Sequence, residues 1–355
     1  MRVLAALSGG VDSSVAAAEL IAAGHEVTAI TMRLWGGESE TGCCSVADVD
    51  DARRVAQQLG IDHLVFNFTD DFERHVVTPY VEAHVAGSTP NPCIECNRHL
   101  KFDRLLERAD VLGFDAVATG HHARIVEHAG IRRVARGADP DKDQSYVVHM
   151  LDQEALARTM FPIGHLTKSE VRTRASRLGL RTADKPDSQD VCFVADDRAT
   201  FLAGRMTMHE ATVVDVDGAR LGTTDAVELV TVGQRRGLGL PGGGPVRYVV
   251  DVDVASAVVR VGDASQLLRH GLVVRDVVWS SVPVEGSVRI QVSAHGPTRP
   301  ARIELVADTV EVHWDERQRV VAPGQSVVFY DVDDEVVLGG GIAGLSRPEG
   351  AGRVR

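Results

Sequence analysis

Lysine is almost missing from this chain, with four in 355 residues (Lys101, Lys142, Lys168 and Lys185), all in one central stretch. The 38 Lys and Arg are outnumbered by 50 Asp and Glu, for a formal net charge of −12. That excludes a uniformly basic nucleic-acid-binding protein, so any such partner must meet a local patch. Cysteine is also sparse. Cys43, Cys44, Cys93, Cys96 and Cys192 are odd in number and unevenly spaced. This is a poor secreted disulfide framework and points to a reducing cytoplasm. No uncharged apolar run approaches the roughly 18 residues of a membrane span. The apolar run before Ser8 is too short for the core of a signal peptide. What remains is an ordinary soluble mixture, 44% hydrophobic and 25% charged, in a chain long enough for two or three domains.

The first part alternates strand and helix patterns. Val3 to Leu7 is a continuous apolar run, as expected of a buried parallel strand. A Gly/Ser loop and an Ala-rich helix follow, the helix closed by Gly24. Further strands are expected over Glu26–Met32, Ile61–Phe68 and Phe114–Thr119, with helices over Val46–Leu59 and Phe72–Val85. Strands separated by helices of this length predict βαβ units and a parallel sheet, with its site at the carboxyl ends of the strands. From about Thr207 the texture changes to short Val-rich runs with turn signals, Asp217-Gly218 being a strong hairpin signal. The pattern predicts an α/β N-terminal domain (1–205), a small central domain (206–270) and a C-terminal β-barrel (271–345).

Ser8-Gly9-Gly10-Val11-Asp12-Ser13-Ser14 joins the first strand to the first helix. Glycines let the backbone turn tightly and present N–H groups to an anion, serines add hydroxyl donors, and the helix N-terminus adds partial positive charge. The Lys-Ser/Thr ending of a Walker A loop is missing, which argues against the usual γ-phosphoryl transfer.

Two cysteine segments stand out. Thr89-Pro90-Asn91-Pro92-Cys93-Ile94-Glu95-Cys96-Asn97-Arg98 sits on a Pro-rich turn, and Cys96 is expected near the start of a helix. There Arg98, Lys101 and the helix N-terminus would lower its pKa. Asp187-Ser188-Gln189-Asp190-Val191-Cys192-Phe193 carries a second loop cysteine. Read alone, Cys93-x-x-Cys96 is also compatible with half of a zinc or iron–sulfur site, or with small buried hydrophobes. A basic stretch, Arg158, Lys168, Arg172, Arg174, Arg177 and Arg181, is the best local candidate for phosphate binding.

The SGGVDSS loop resembles the pyrophosphate-binding loop of the N-type ATP pyrophosphatases, which adenylate an oxygen and release pyrophosphate. TPNPCIECNRHLKF and SQDVCF resemble segments of the tRNA-specific 2-thiouridylases. So do GCCSVADVDDARRVAQQLGI, ATGHHARI, KDQSYVV, FPIG with TKSEVR, VGQRRGLG, and PGQSVVFY with LGGG, all in the family's order.

That resemblance implies an adenine-nucleotide α-hydrolase-like first domain. It also implies adenylation, then thiolation, of the wobble uridine of certain tRNAs, with ATP and Mg2+. Cys96 would be the nucleophile. Cys192 would carry sulfur as a persulfide received from a cysteine desulfurase or relay protein, and would pair transiently with Cys96. ATP would be bound by Ala6, Leu7, Ser8, Gly9, Gly10, Val11, Asp12, Ser13, Met32 and Gly120. tRNA would be met by Asn91, Pro92, Cys93, His121, Lys142, Asp143, Gln144 and Gln325. Two departures stand out: the family often has Asp at Cys93, and an Arg-Tyr pair at Ser293-Ala294. Competing readings are another adenylating ligase of the same loop class and a non-catalytic RNA-binding relative.

Overall fold

The computed structural model describes residues 1–34, 46–128, 130–187, 193–194, 197–240 and 244–344. Cys43, Cys44 and Cys192 lie outside them. The first layer is a five-stranded parallel sheet. Its elements are β1 (Arg2–Ala6), α1 (Val11–Ala22), β2 (Glu26–Arg33), α2 (Val46–Leu59), β3 (His63–Asn67) and β4 (Ala116–Ala118), and Thr159–Met160 forms one edge. The spatial order is β3-β2-β1-β4 and then that edge strand. β1 is therefore central, flanked by β2 and β4, and the segments that follow these three strands open on the same end of the sheet. Val3 and Leu4 are fully buried and Ala5 nearly so, as a strand covered by helices on both faces requires.

The remaining strands form two further units. Ala211–Asp215, Arg220–Thr224, Tyr248–Asp253 and Val258–Gly262 make a four-stranded sheet. Its first two strands are antiparallel around Gly218, whose φ of +89° is in the left-handed region where Gly meets no Cβ clash. A closed six-stranded barrel follows, from Leu268–Trp279 to Val337–Ala343. Closure removes the exposed edges that open sheets must protect. The sequence pattern does not foresee the hairpin of Ala123–His128 with Ile131–Arg136. Its second strand reaches the barrel through Ala135, which bridges Val336.

Arg136, at the end of that hairpin, clasps the first layer to the barrel. Its guanidinium donates to Asp143 (2.7 Å), Gln291 (2.8 Å) and Asp334 (2.7 Å), and lies 3.7 Å from the centre of the Tyr330 ring. The Tyr330 hydroxyl in turn meets Ser145 Oγ at 2.9 Å. Planar, always charged Arg can serve two carboxylates and an aromatic face at once, which Lys cannot.

His149 is buried at the same junction, its Nδ1 2.9 Å from the Tyr146 carbonyl and its ring against Gly340, where a Cβ would come within 2.5 Å of the imidazole. Burial brings its pKa down to about 4. The unfolded chain, with its His near 6.5, binds the extra proton first as pH falls. His149 therefore costs stability progressively from about pH 6.5 down to about pH 4, by roughly 3 kcal/mol at the acid end. His99 acts oppositely. Hydrogen bonds to Asp103 and Glu95 raise it to about 9, so its contribution is complete below about pH 6.5 and is lost as pH rises from there through about 9. In urea melts between pH 7 and pH 4.5, a His149→Gln variant is expected to lose stability less steeply than the wild type. Parallel pH profiles for the two proteins would contradict this assignment.

Candidate active site

The loop after β1 is shaped by two close backbone approaches. Gly9 has φ +74°, and a Cβ there would lie 2.5 Å from the Asp48 carbonyl at the start of α2. At Gly120, just beyond β4, a Cβ would lie 2.6 Å from Ser13 N and 2.8 Å from Asp12 C. Both glycines are required by backbone packed on backbone. Gly10 caps α1 without a side-chain hydrogen bond, so the first helical N–H groups have no side-chain cap. Ser13 Oγ accepts from Ser8 N (3.2 Å) and donates to Gly10 O (3.1 Å). Ser14 Oγ donates to Gly10 O at 2.8 Å. The loop is thus held by its own hydroxyls.

Asp12 is the polar centre of the site. Lys168 Nζ lies 2.7 Å from both its carboxylate oxygens, and His122 Nε2 lies 3.3 Å from Oδ1. Burial pushes Asp12 up, but hydrogen bonds from His122 and Lys168 outweigh it, and the net shift is downward. Lys168 Nζ also meets Asp187 Oδ1 at 2.8 Å. Asp187 accepts from Lys142 (2.8 Å) and Arg172 (2.9 Å) as well. Burial opposes its ionisation, yet the hydrogen bonds from Lys142 and Lys168 bring it to about 2. Lys185 Nζ lies 2.8 Å from both Asp48 and Asp51. Three of the four lysines in the chain therefore stand around this one loop. The basic stretch is not an open phosphate-binding face. Arg158, Lys168, Arg172, Arg174 and Arg181 each pair with a carboxylate, on Asp110, Asp12, Asp187, Glu19 and Asp51 respectively.

The cysteine helix starts at Pro92, with Asn91 Oδ1 capping Cys93 N at 3.1 Å. It continues through a π-helical stretch, Cys96–Arg104, and then Leu105–Leu112. Cys93, in the first turn, is exposed. Cys96, one turn later, is 8% exposed and packs in an apolar cluster with Phe68, Phe72, Tyr80 and Phe193. The helix-terminus field fades beyond the first turn, so Cys96 stands deeper in the helix than the sequence suggests. Phe193, the residue after Cys192, is 3% exposed. Its ring is edge-on to Phe72 (5.5 Å) and Tyr80 (5.6 Å).

The other residues read from sequence sit as follows. Ala6 ends β1, Leu7 N continues the sheet by donating to Ile30 O, and Val11 opens α1. Met32 lies in β2 opposite Phe66. Pro92 is buried at the first helical position. His121 is buried, with Nδ1 2.7 Å from Thr119 Oγ1 and its ring beside Phe102 and Phe161. Burial holds its pKa well below the ordinary value. Lys142 pairs with Asp187. Asp143 accepts from Gly137 N, Ser145 and Arg136. Gln144 and His122 exchange hydrogen bonds of 2.9 Å, Oε1 accepting from His122 N and His122 O from Gln144 N. Gln325 donates from its amide to the Thr89 carbonyl, and Thr89 N donates to Pro323 O at 2.8 Å. A turn of the barrel therefore holds the strap that leads into the cysteine helix. Sequence reasoning missed Arg136, His122 and the loop-directed role of Lys168; for Lys168 the scarcity of lysine was a usable signal.

Among the described residues no three His, Cys, Asp or Glu side chains are grouped to hold a metal ion. The Asp12 carboxylate, within the loop, is taken by Lys168. A Gly120→Ala substitution is expected to push the loop out of place and cost about 1–3 kcal/mol of stability, as overpacking does. Calorimetric binding of a non-hydrolysable ATP analogue should weaken in parallel. An unchanged melting midpoint and affinity would contradict the close approach.

Three family models match the chain part by part. Residues 1–196 match the model of the tRNA methyl transferase HUP domain. Residues 199–263 match the tRNA methyl transferase PRC-barrel domain, and residues 269–343 the aminomethyltransferase beta-barrel domain. The chain is 46% identical over 355 residues to the tRNA-specific 2-thiouridylase of Mycobacterium ulcerans, covering 96% of each. It is 47% identical over 361 residues to that of Chloroflexus aurantiacus, covering 98% of this chain and 99% of that protein. Among solved structures, the U34-tRNA thiolase of Methanococcus maripaludis with its [4Fe-4S] cluster superposes with a TM-score of 0.36 at 18% identity, covering 57% of this chain and 63% of that one. Nothing is drawn from so distant a superposition. Near-half identity along almost the whole length does decide the matter: the chain belongs to the tRNA-specific 2-thiouridylase family.

Proposed function

We propose that this protein uses ATP to replace the C2 oxygen of the tRNA wobble uridine with sulfur. The uracil C2 oxygen attacks the α-phosphorus of ATP, and pyrophosphate leaves from the Ser8–Ser13 loop. The oxygen, a poor leaving group in uracil, becomes part of AMP, a good one. The terminal sulfur of a Cys192 persulfide attacks C2 and AMP departs. The Cys96 thiolate then attacks the Cys192 sulfur and breaks the S–S bond. Sulfur stays on the base, and a Cys96–Cys192 disulfide is left, which an external thiol reductant must return to two thiols with two electrons. The base must leave its stack to be reached.

The observation that carries this reading is the apolar cluster shared by Cys96 and Phe193. Phe193 is the covalent neighbour of Cys192, and successive Cα atoms are about 3.8 Å apart. Phe193 is anchored in that cluster, and a pairing of Cys192 with Cys96 asks only that the residue before it in the chain reach the same surroundings. An apolar, water-poor setting favours sulfur transfer over hydrolysis of an activated base. The loop supports the other half: two glycine-tight approaches, hydroxyls, and a helix N-terminus without a side-chain cap suit a pyrophosphate.

The test is mass analysis of tRNA nucleosides after incubation with ATP, cysteine and a cysteine desulfurase, with pyrophosphate measured alongside. Cys192→Ser and Cys96→Ser are each expected to lower 2-thiouridine by about 10³-fold or more, while Cys192→Ser still releases pyrophosphate. Undiminished thiolation by Cys192→Ser would sink the proposal, as would pyrophosphate release that needs neither tRNA nor the loop.

A further inference from the structure

Lys168 is shared. Its ammonium meets both oxygens of Asp12 on the loop and one oxygen of Asp187, at 2.7–2.8 Å, with its side chain 11% exposed. Its position is fixed from behind. Thr167 caps the helix Lys168–Arg177 in a reciprocal capping box with Glu170, and Lys168 N donates to Asp139 Oδ2 at 2.9 Å. Around the two acids stand three cations, Lys142, Lys168 and Arg172, with His122 on the far side of Asp12. With Asp139 behind Lys168, three carboxylates face these three cations. The chain has 34 Arg and four Lys, yet two of these three cations are lysines. A Lys ammonium is a compact charge on a flexible stem with three donors, able to trade one oxygen partner for another, whereas a planar Arg fork is matched to a fixed pair.

We propose that Lys168 is a phosphate-exchange residue: it holds Asp187 in the nucleotide-free protein and gives up that carboxylate for an oxygen of the bound pyrophosphate moiety, while keeping Asp12. Asp187 is then an internal competitor of the ligand, and Lys142 and Arg172 remain to hold it. This inference rests on the reading of the Ser8–Ser13 loop as the pyrophosphate site. It adds the group that answers the ligand's charge, and it makes the affinity of the loop adjustable by a carboxylate outside it.

Removing either of two residues that merely support the structure weakens binding. Exchange requires effects of opposite sign. Titrating inorganic pyrophosphate into the protein by calorimetry, Lys168→Met is expected to weaken binding about 10- to 100-fold, the worth of a hydrogen bond to a charged group. Asp187→Asn is expected to tighten it about three- to five-fold, the worth of a partly exposed ion pair. Asp187→Glu, which keeps the competitor, should stay at the wild-type value. Melting temperatures check that each variant is folded, and Asp187→Ser serves if Asp187→Asn is not. The wild type offers a second measurement. Its few lysines give a sparse spectrum after 13C-methylation, in which saturating pyrophosphate should move the Lys168 signal. Weaker or equal binding by Asp187→Asn, or an unmoved Lys168 signal, overturns the exchange. A wild type that binds neither pyrophosphate nor ATP overturns the loop reading itself.

Discussion

The ion pair between Asp12 and Lys168 is the contact on which the site depends. Asp12 belongs to the loop after β1, and Lys168 begins a helix that packs on α1 from a distant part of the chain. Without Lys168 the carboxylate would stand half-buried in the path of an incoming polyphosphate, an arrangement that burial and repulsion both oppose. With it, the Asp12 charge is neutralised inside the loop, in a protein whose net charge is −12. His122 completes the support from β4's side, and Gln144 fixes His122 by its backbone. On the proposed reading of the loop as a pyrophosphate site, its acid is thereby made compatible with phosphate.

The same wiring joins the parts of the molecule. Lys142, Asp143 and Gln144 are consecutive and point to three different places: the Asp187 side of the site, the Arg136 clasp, and the turn after β4. Just beyond, Tyr146 donates to the Ser326 carbonyl of the barrel, and the Val147 carbonyl accepts from Asn97 on the cysteine helix. The barrel answers through Gln325 and Pro323, which hold Thr89 at the head of that helix. One short segment thus ties phosphate loop, cysteine helix and barrel together. These polar groups hold protein to protein, and an RNA that engaged them would have to replace those bonds.

Much of this was legible in the sequence. Strand runs such as Val3–Leu7 and Glu26–Met32 matched the observed strands to within a residue or two, because a strand buried on both faces must be apolar without interruption. Val46–Leu59 carried a helical period, and Asp217-Gly218 marked its hairpin. The loop was legible because its residues are local in sequence. The hairpin Ala123–Arg136 was not, since its strands alternate weakly and carry Arg side chains whose partners, such as Ala157, Ser280 and Asp334, lie far along the chain. Nor was the pairing of the basic stretch, because the partners Asp12, Glu19 and Asp51 come from elements more than a hundred residues away. Long-range charge pairing leaves no periodic trace. Three of the four lysines stand around the loop, a grouping the sequence showed only as their shared central stretch.

The central claim is the proposed pairing, in turnover, of Cys96 with Cys192 almost a hundred residues away. The most direct measurement is peptide mass mapping of the protein after a single turnover on tRNA without reductant. The account predicts a peptide linking Cys96 to Cys192, in proportion to the 2-thiouridine formed. A product carrying 2-thiouridine while Cys96 and Cys192 remain unlinked, or linked only to other cysteines, would contradict it.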